Sequence, residues 1–201
     1  FKILIIMKIA FFDFDGTITK HDTLIKFIRF FVGDMKFIVG ILVLLPKLIA
    51  YKFNLVSNQY IKENVTQYFF RNIDITEFKT KAEQFSLNNI DIITRKNALE
   101  RIKWHQKNDH KVVVVSASID YWLKPWCDKN NIDLIATQLE VKNNKLTGRL
   151  NNKNCFGSEK VRRIMDKYKL SNYNYIYAYG DSRGDYEMLQ ISSEKSYKPF
   201  R

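Results

Sequence analysis

Hydrophobic positions along the chain come in two rhythms. Short unbroken runs occupy Lys8–Phe14 (KIAFFDF), Lys111–Val115 (KVVVV) and Tyr173–Tyr179 (YNYIYAY), each ending in small or acidic residues. Runs of this length, rich in β-branched and aromatic residues, predict strands buried on both faces, as in a parallel sheet. Between the first two lies a stretch, His21 to Asn89, where apolar residues recur at helical spacing and strand signals are absent. It predicts helices over Asp22–Phe31, Lys36–Tyr51, Ser57–Arg71 and Ile75–Leu87, with Asp91–Asn108 leading back to the sheet. Asp22, Ser57 and Asp91 are the expected N-caps. After the second strand, Ile119–Asn130 reads as a helix and Leu139–Leu150 as a hairpin turning at Asn143-Asn144. Ser158–Tyr168 and Gly184–Leu189 read as the last helices.

The pattern therefore predicts an α/β fold, a doubly wound parallel sheet with a helical domain inserted after the first strand. Residues 1–20 and 90–201 form the expected core domain and 21–89 the inserted one. Phe1–Ile6 precede the first strand and are read as upstream sequence without a role. One predicted helix departs from the usual amphipathic stripe. Ile38–Leu45 is apolar on all sides, but the run stops at Pro46 and Lys47, far short of the ~18–20 residues that span a bilayer. It reads as a buried helix or one lying at a membrane surface.

At 201 residues with 46% hydrophobic content, the chain can build a sizeable core. Its charge, +12, suits an anionic partner, yet the basic residues are dispersed and form no nucleic-acid module. Cys127 and Cys155 sit apart without a CxxC pair, so neither a zinc site nor a disulfide framework is expected, and a reducing cytoplasm fits. His21, His105 and His110 are expected at the surface or in the inserted domain, and Trp104, Trp122 and Trp126 as packing residues.

The candidate chemistry sits at strand ends. Asp13 and Asp15 flank Phe14, and period-two geometry sends both carboxylates to one side. Two acids there repel unless they share a proton or a cation, which argues for a metal site. Gly16-Thr17 then turn the chain. Ser116 ends the second strand, Lys160 opens a helix, and Gly180-Asp181-Ser182-Arg183-Gly184-Asp185 follows the third strand.

Asp13-Phe14-Asp15-Gly16-Thr17 resembles the DxDGT signature of haloacid dehalogenase (HAD) phosphatases, and Ser116, Lys160 and the Gly180–Asp185 loop match the family's other three motifs in order. The resemblance covers essentially the whole chain. It implies a magnesium-dependent phosphomonoester hydrolase. Asp13 is then the nucleophile and a Mg²⁺ ligand, and Asp15 binds the metal through its carbonyl while its side chain acts as acid and base. Gly16, Thr17, Ser116, Ala117 and Lys160 bind the phosphate, with Lys160 also neutralising the nucleophile. Asp181 is a direct metal ligand and Asp185 acts behind it or through water.

The chemistry suits these residue types: a carboxylate approaching a phosphate meets about 4 kcal/mol of repulsion per charge pair at 4 Å and an effective dielectric of 20. A hard cation and a fixed ammonium remove most of it. The helical insertion resembles the cap of the phosphoserine-phosphatase-like subfamily IB. Phe27–Phe31 and Leu42–Pro46 look like the cap of phosphatidylglycerophosphatase C-type enzymes, which implies a glycerophosphate-type lipid headgroup and peripheral contact with the inner face of a membrane. A soluble phosphometabolite, a phosphotransferase and a catalytically silent binding module are the alternatives. Lys20-His21-Asp22-Thr23 departs from the acidic pair that true phosphoserine phosphatases carry there.

Overall fold

The structure, a computed structural model, describes residues 7–201, so the reading of Phe1–Ile6 lies outside the described residues. Strand β1 (Lys8–Phe12) is followed by a tight turn (Phe14–Ile18) and four helices: α1 (Thr23–Val32), α2 (Asp34–Lys52), α3 (Asn58–Phe70) and α4 (Ile75–Ile93). Helix α5 (Lys96–Lys107) returns the chain to β2 (Lys111–Ile119), α6 (Asp120–Lys129) and β3 (Asp133–Thr137). A hairpin of β4 (Leu139–Lys142) and β5 (Lys145–Leu150) precedes α7 (Ser158–Lys167), β6 (Tyr175–Gly180), α8 (Tyr186–Gln190) and β7 (Glu194–Tyr197). The main sheet has the order β3-β2-β1-β6-β7 and every pair is parallel.

Alternation along β1 explains why the sheet is covered on both faces. Ile9 and Phe11 join Val113, Val115 and Ile164 on one side, while Ala10 and Phe12 join Val112, Val114 and Trp122 on the other. The polar ends of β1, β2 and β6 meet at the carboxyl edge of the sheet, where a doubly wound fold places its site.

Helices α1–α4 are the predicted insertion. The side chains of Asp22 and Ser57 cap α1 and α3, accepting from the N–H of Ile25 (3.1 Å) and Tyr60 (3.1 Å). Asp91 does not cap a new helix. It lies inside α4, and its carboxylate accepts instead from Trp126 Nε1 at 2.7 Å and Lys129 at 2.8 Å, so the predicted break after Leu87 does not occur. The hairpin turns at Asn143 and Asn144, both with positive φ. Strands β3 and β7 go beyond the predicted set; β7 (EKSY) is a polar edge strand with no apolar run to announce it.

His105 is a second correction. It is fully buried rather than superficial, with Nε2 2.9 Å from the Tyr179 hydroxyl and Nδ1 2.8 Å from His110 Nδ1. Burial and the neighbouring His110 and Arg101 push its pKa down to about 3, so the ring is neutral. Trp122 and Trp126 are core residues as expected, whereas Trp104 is partly exposed beside Arg101.

Candidate active site

β1 ends at Phe12, one residue before the acid; Asp13 still donates its N–H to the Tyr179 carbonyl of the neighbouring strand, and the chain then leaves the sheet. The carboxylates of Asp13 and Asp15 line the same cavity of about 250 Å³, each held by a different partner. Asp13 turns inward. Its Oδ1 accepts from Lys160 Nζ at 2.6 Å, and the same ammonium donates to Asp185 Oδ1 at 2.6 Å and to the Val115 carbonyl at 2.7 Å. Lys160 comes from the first turn of α7, whose inward face is set by Ile164 one turn later.

All three ionisable groups are buried. Burial works against the charge on Lys160, but Asp13 and Asp185 outweigh it and hold the ammonium above the usual lysine range. Burial pushes Asp13 up to about 7, with Lys160 opposing and Asp185 and Asp181 adding to the rise. Burial also opposes the charge on Asp185, yet Lys160 and the Ser182 donors keep that carboxyl below its ordinary value.

Asp185 is almost fully occupied. Its Oδ2 accepts from the N–H of Asp181 (3.1 Å), the N–H of Ser182 (2.9 Å) and the Ser182 hydroxyl (2.8 Å), which fixes the loop after β6. Asp181 in turn accepts from the Thr17 hydroxyl at 3.3 Å and from the Arg201 guanidinium. Gly16 and Thr17 do not line the cavity; they pack against Asp181. Gly16 has φ +84°, and a Cβ there would lie 2.5 Å from Asp181 Oδ2, so this position needs glycine for both its conformation and its closeness to the acid.

The side chain of Asp15 faces the cap. Its Oδ1 accepts from the N–H of Thr23 at 2.8 Å, and burial together with Asp22 pushes its carboxyl up to about 8. The Thr23 hydroxyl lies 2.8 Å from Ser118 Oγ and 3.1 Å from Trp122 Nε1, and Phe27 stacks on Trp122 at 4.5 Å, so the start of α1 is tied to the core beside the acid. Ser116 and Ala117 line the cavity, with Ser116 Oγ accepting from the N–H of Ser118 at 3.0 Å.

This arrangement is that of a known family. Residues 10–190 match the family model of haloacid dehalogenase-like hydrolases. The chain is a haloacid dehalogenase-like hydrolase. The hydrolase is also 31% identical to Protein CicA of Caulobacter vibrioides, over 94% of this chain and 85% of that protein. In fold it is similar to a protein of unknown function from Bordetella pertussis Tohama I, with a TM-score of 0.82 at 20% identity, covering 94% of this chain and 89% of the other. A substrate-bound phosphoserine phosphatase superposes with a TM-score of 0.68 at 20% identity, covering 95% of the hydrolase and 85% of that chain.

The residues present fit a hard divalent cation. Carboxylate oxygens of Asp13, Asp181 and Asp185 lie within 4.8 Å of one another, an all-oxygen donor set of the kind Mg²⁺ takes. Lys160 and Arg201 supply the positive charge those acids face here. Glycine at position 16 leaves the space beside Asp181 free of a side chain.

Two residues that sequence patterns did not single out complete the cavity. Lys62 and Asn58 reach it from α3 of the cap. Lys62 Nζ donates to the Ala117 carbonyl at 2.5 Å and to Asn154 Oδ1 at 3.1 Å, and burial holds its pKa below the usual lysine range. Asn58 accepts from the Asn154 amide. The available signal was the stripe Asn58, Lys62, Val65 and Phe69 on one face of α3, in which the first two members are polar although the face turns inward.

Proposed function

We propose that the hydrolase cleaves phosphomonoesters through a phosphorylated Asp13. The observation that carries this is the buried Lys160 ammonium, 2.6 Å from Asp13 Oδ1, which favours the ionised, nucleophilic form against burial and aims it in a site that also receives the Ser116 hydroxyl. Asp13 attacks phosphorus, the ester P–O bond breaks, and Asp15 gives its proton to the departing alkoxide. Water then attacks the same phosphorus, losing a proton to Asp15, and the Asp13–phosphate bond breaks to release inorganic phosphate. Asp13, Asp181 and the Asp15 carbonyl would hold Mg²⁺, with Asp185 behind them; bound there, the ion neutralises charge on the transferring phosphoryl group. Ser116, Ala117 and Lys160 bind the phosphate oxygens, while Gly16 and Thr17 serve by positioning Asp181. Within the expected core domain of residues 1–20 and 90–201, the described residues from 7 on act as the catalytic core, and 21–89 as the cap beside it.

For the substrate we propose a glycerophosphate-type lipid headgroup. The reading is supported by the phosphatidylglycerophosphatase C-like segments of the cap and by the polar pair that α3 contributes: Lys62 and Asn58 suit a leaving group with hydroxyls or a further anionic oxygen. A soluble, phosphoserine-like ester is the second reading, favoured by the fold likeness to phosphoserine phosphatases. Turnover of phosphatidylglycerophosphate in micelles, glycerol 3-phosphate and phosphoserine in Mg²⁺ separates the two. The lipid should have the highest kcat/KM, and Lys62→Met should lower that value by roughly ten- to a hundredfold, as loss of a charged contact does. Phosphoserine as the best substrate would return the hydrolase to the second reading. Added glycerol that diverts phosphate into a new ester would mark it as a phosphotransferase.

A further inference from the structure

Helix α2 presents apolar side chains on two opposite faces. Phe37, Gly40, Leu44 and Leu48 turn inward onto the cap. Gly40 sits where any Cβ would collide with the Phe69 and Tyr68 rings, so α2 lies close against α3. The opposite stripe, Met35, Ile38, Val39, Leu42, Val43 and Ile49, is exposed to solvent, with Met35 at 77% and Leu42 at 63%. The following turn continues it with Phe53 and Leu55, the latter at 76%. A contiguous apolar surface running the length of a helix of about 28 Å is unusual on a protein surface and marks an interaction site.

The surroundings of the stripe choose its occupant. Lys36, Lys47 and Lys52 flank it and are exposed, and the one acid of α2, Asp34, is already paired with Arg29 at 2.7 Å. The chain carries +12 overall. Apposing two such faces would bring lysines against lysines and two strongly cationic molecules together, which opposes a second copy. An anionic bilayer meets both demands, taking the apolar stripe at its acyl boundary and the lysines among its headgroups. No helix among the described residues is long and apolar enough to cross a membrane, so the contact is one of lying on the surface.

We infer that the outer face of α2 docks the hydrolase on an anionic lipid bilayer, with the helix in the plane of the interface. The inference rests on the surface of α2 alone. Helix α3 joins that surface to the cavity, packing on α2 through Phe69 and lining the cavity through Asn58 and Lys62.

Co-sedimentation with vesicles of phosphatidylglycerol and phosphatidylcholine tests it, using the full chain with turnover of p-nitrophenyl phosphate and a circular-dichroism melt as controls. The protein should bind anionic vesicles at low salt, bind pure phosphatidylcholine far less, and release as salt rises. Leu42→Glu with Val43→Glu should weaken binding by roughly tenfold or more while turnover of the soluble ester and the melt stay unchanged. Lys36→Gln with Lys47→Gln should reduce the preference for anionic over neutral vesicles. Absence of binding at low salt overturns the inference, as does binding that the double Glu variant retains. Self-association abolished by the Glu pair, in a protein that ignores vesicles, would assign the face to a second copy. Because the readout is binding, its failure leaves the hydrolase reading intact.

Discussion

The backbone N–H of Thr23 donates to Asp15 Oδ1 at 2.8 Å, so the first turn of the cap aims the second aspartate of the site. In the proposed mechanism this acid serves both halves of the reaction, but unequally across substrates. Asp15→Asn should slow alkyl phosphates far more than p-nitrophenyl phosphate, whose phenolate leaves without a proton; a difference of about a hundredfold is expected from general acid catalysis. Steady-state rates on matched esters measure it, and an equal loss on both would show that Asp15 is not the acid.

Lys160 is a structural cation, since it bridges the buried Asp13 and Asp185 carboxylates. Lys160→Met should destabilise the fold by about 3 kcal/mol or more in urea, the usual result of leaving buried charges without a partner. Saturating Mg²⁺ should recover part of that loss, because the cation takes the place of the missing ammonium among the acids. Unchanged stability, or a loss indifferent to Mg²⁺, would contradict this view of the cluster.

Asp13, Asp15, Asp181 and Lys160 were legible as candidates because each stands just beyond the end of a strand or at the start of a helix, where an apolar run stops abruptly and a charge has no other reason to follow. Gly16 and Thr17 were legible as part of the motif, but their placement against Asp181 depends on a tertiary contact across 164 positions. Lys62 was hidden by its helix: a lysine in an amphipathic pattern reads as solvated, and only the approach of α3 to Ala117 turns it inward. His105 was hidden for the opposite reason. A polar ring is buried where Tyr179 and His110 satisfy both its nitrogens, and those partners lie on β6 and beyond α5.

That buried ring gives the fold a pH dependence. With the folded pKa pushed down to about 3 against 6.5 in the unfolded chain, the unfolded state binds a proton that the folded state refuses. Stability from this source is fully present above pH 6.5 and is lost as pH falls toward 3, by at most about 1.4 kcal/mol per pH unit. His110 is shifted in the same direction, by burial and by Lys8. Urea midpoints of the wild type between pH 7 and 5 should fall more steeply than those of His105→Phe, and parallel curves would show that His105 takes up its proton in the folded state.

The central claim is that phosphate passes through a covalent bond to Asp13. Acid quenching during turnover, followed by borohydride reduction and peptide mass spectrometry, reads that bond directly, because reduction converts an aspartyl phosphate to homoserine. Homoserine should be recovered at position 13 and at no other acid, and Asp13→Asn should show neither the product nor turnover above about a thousandth of the wild-type rate. Full turnover without a trapped species at Asp13, or a species trapped at Asp15 or Asp181, would contradict the account.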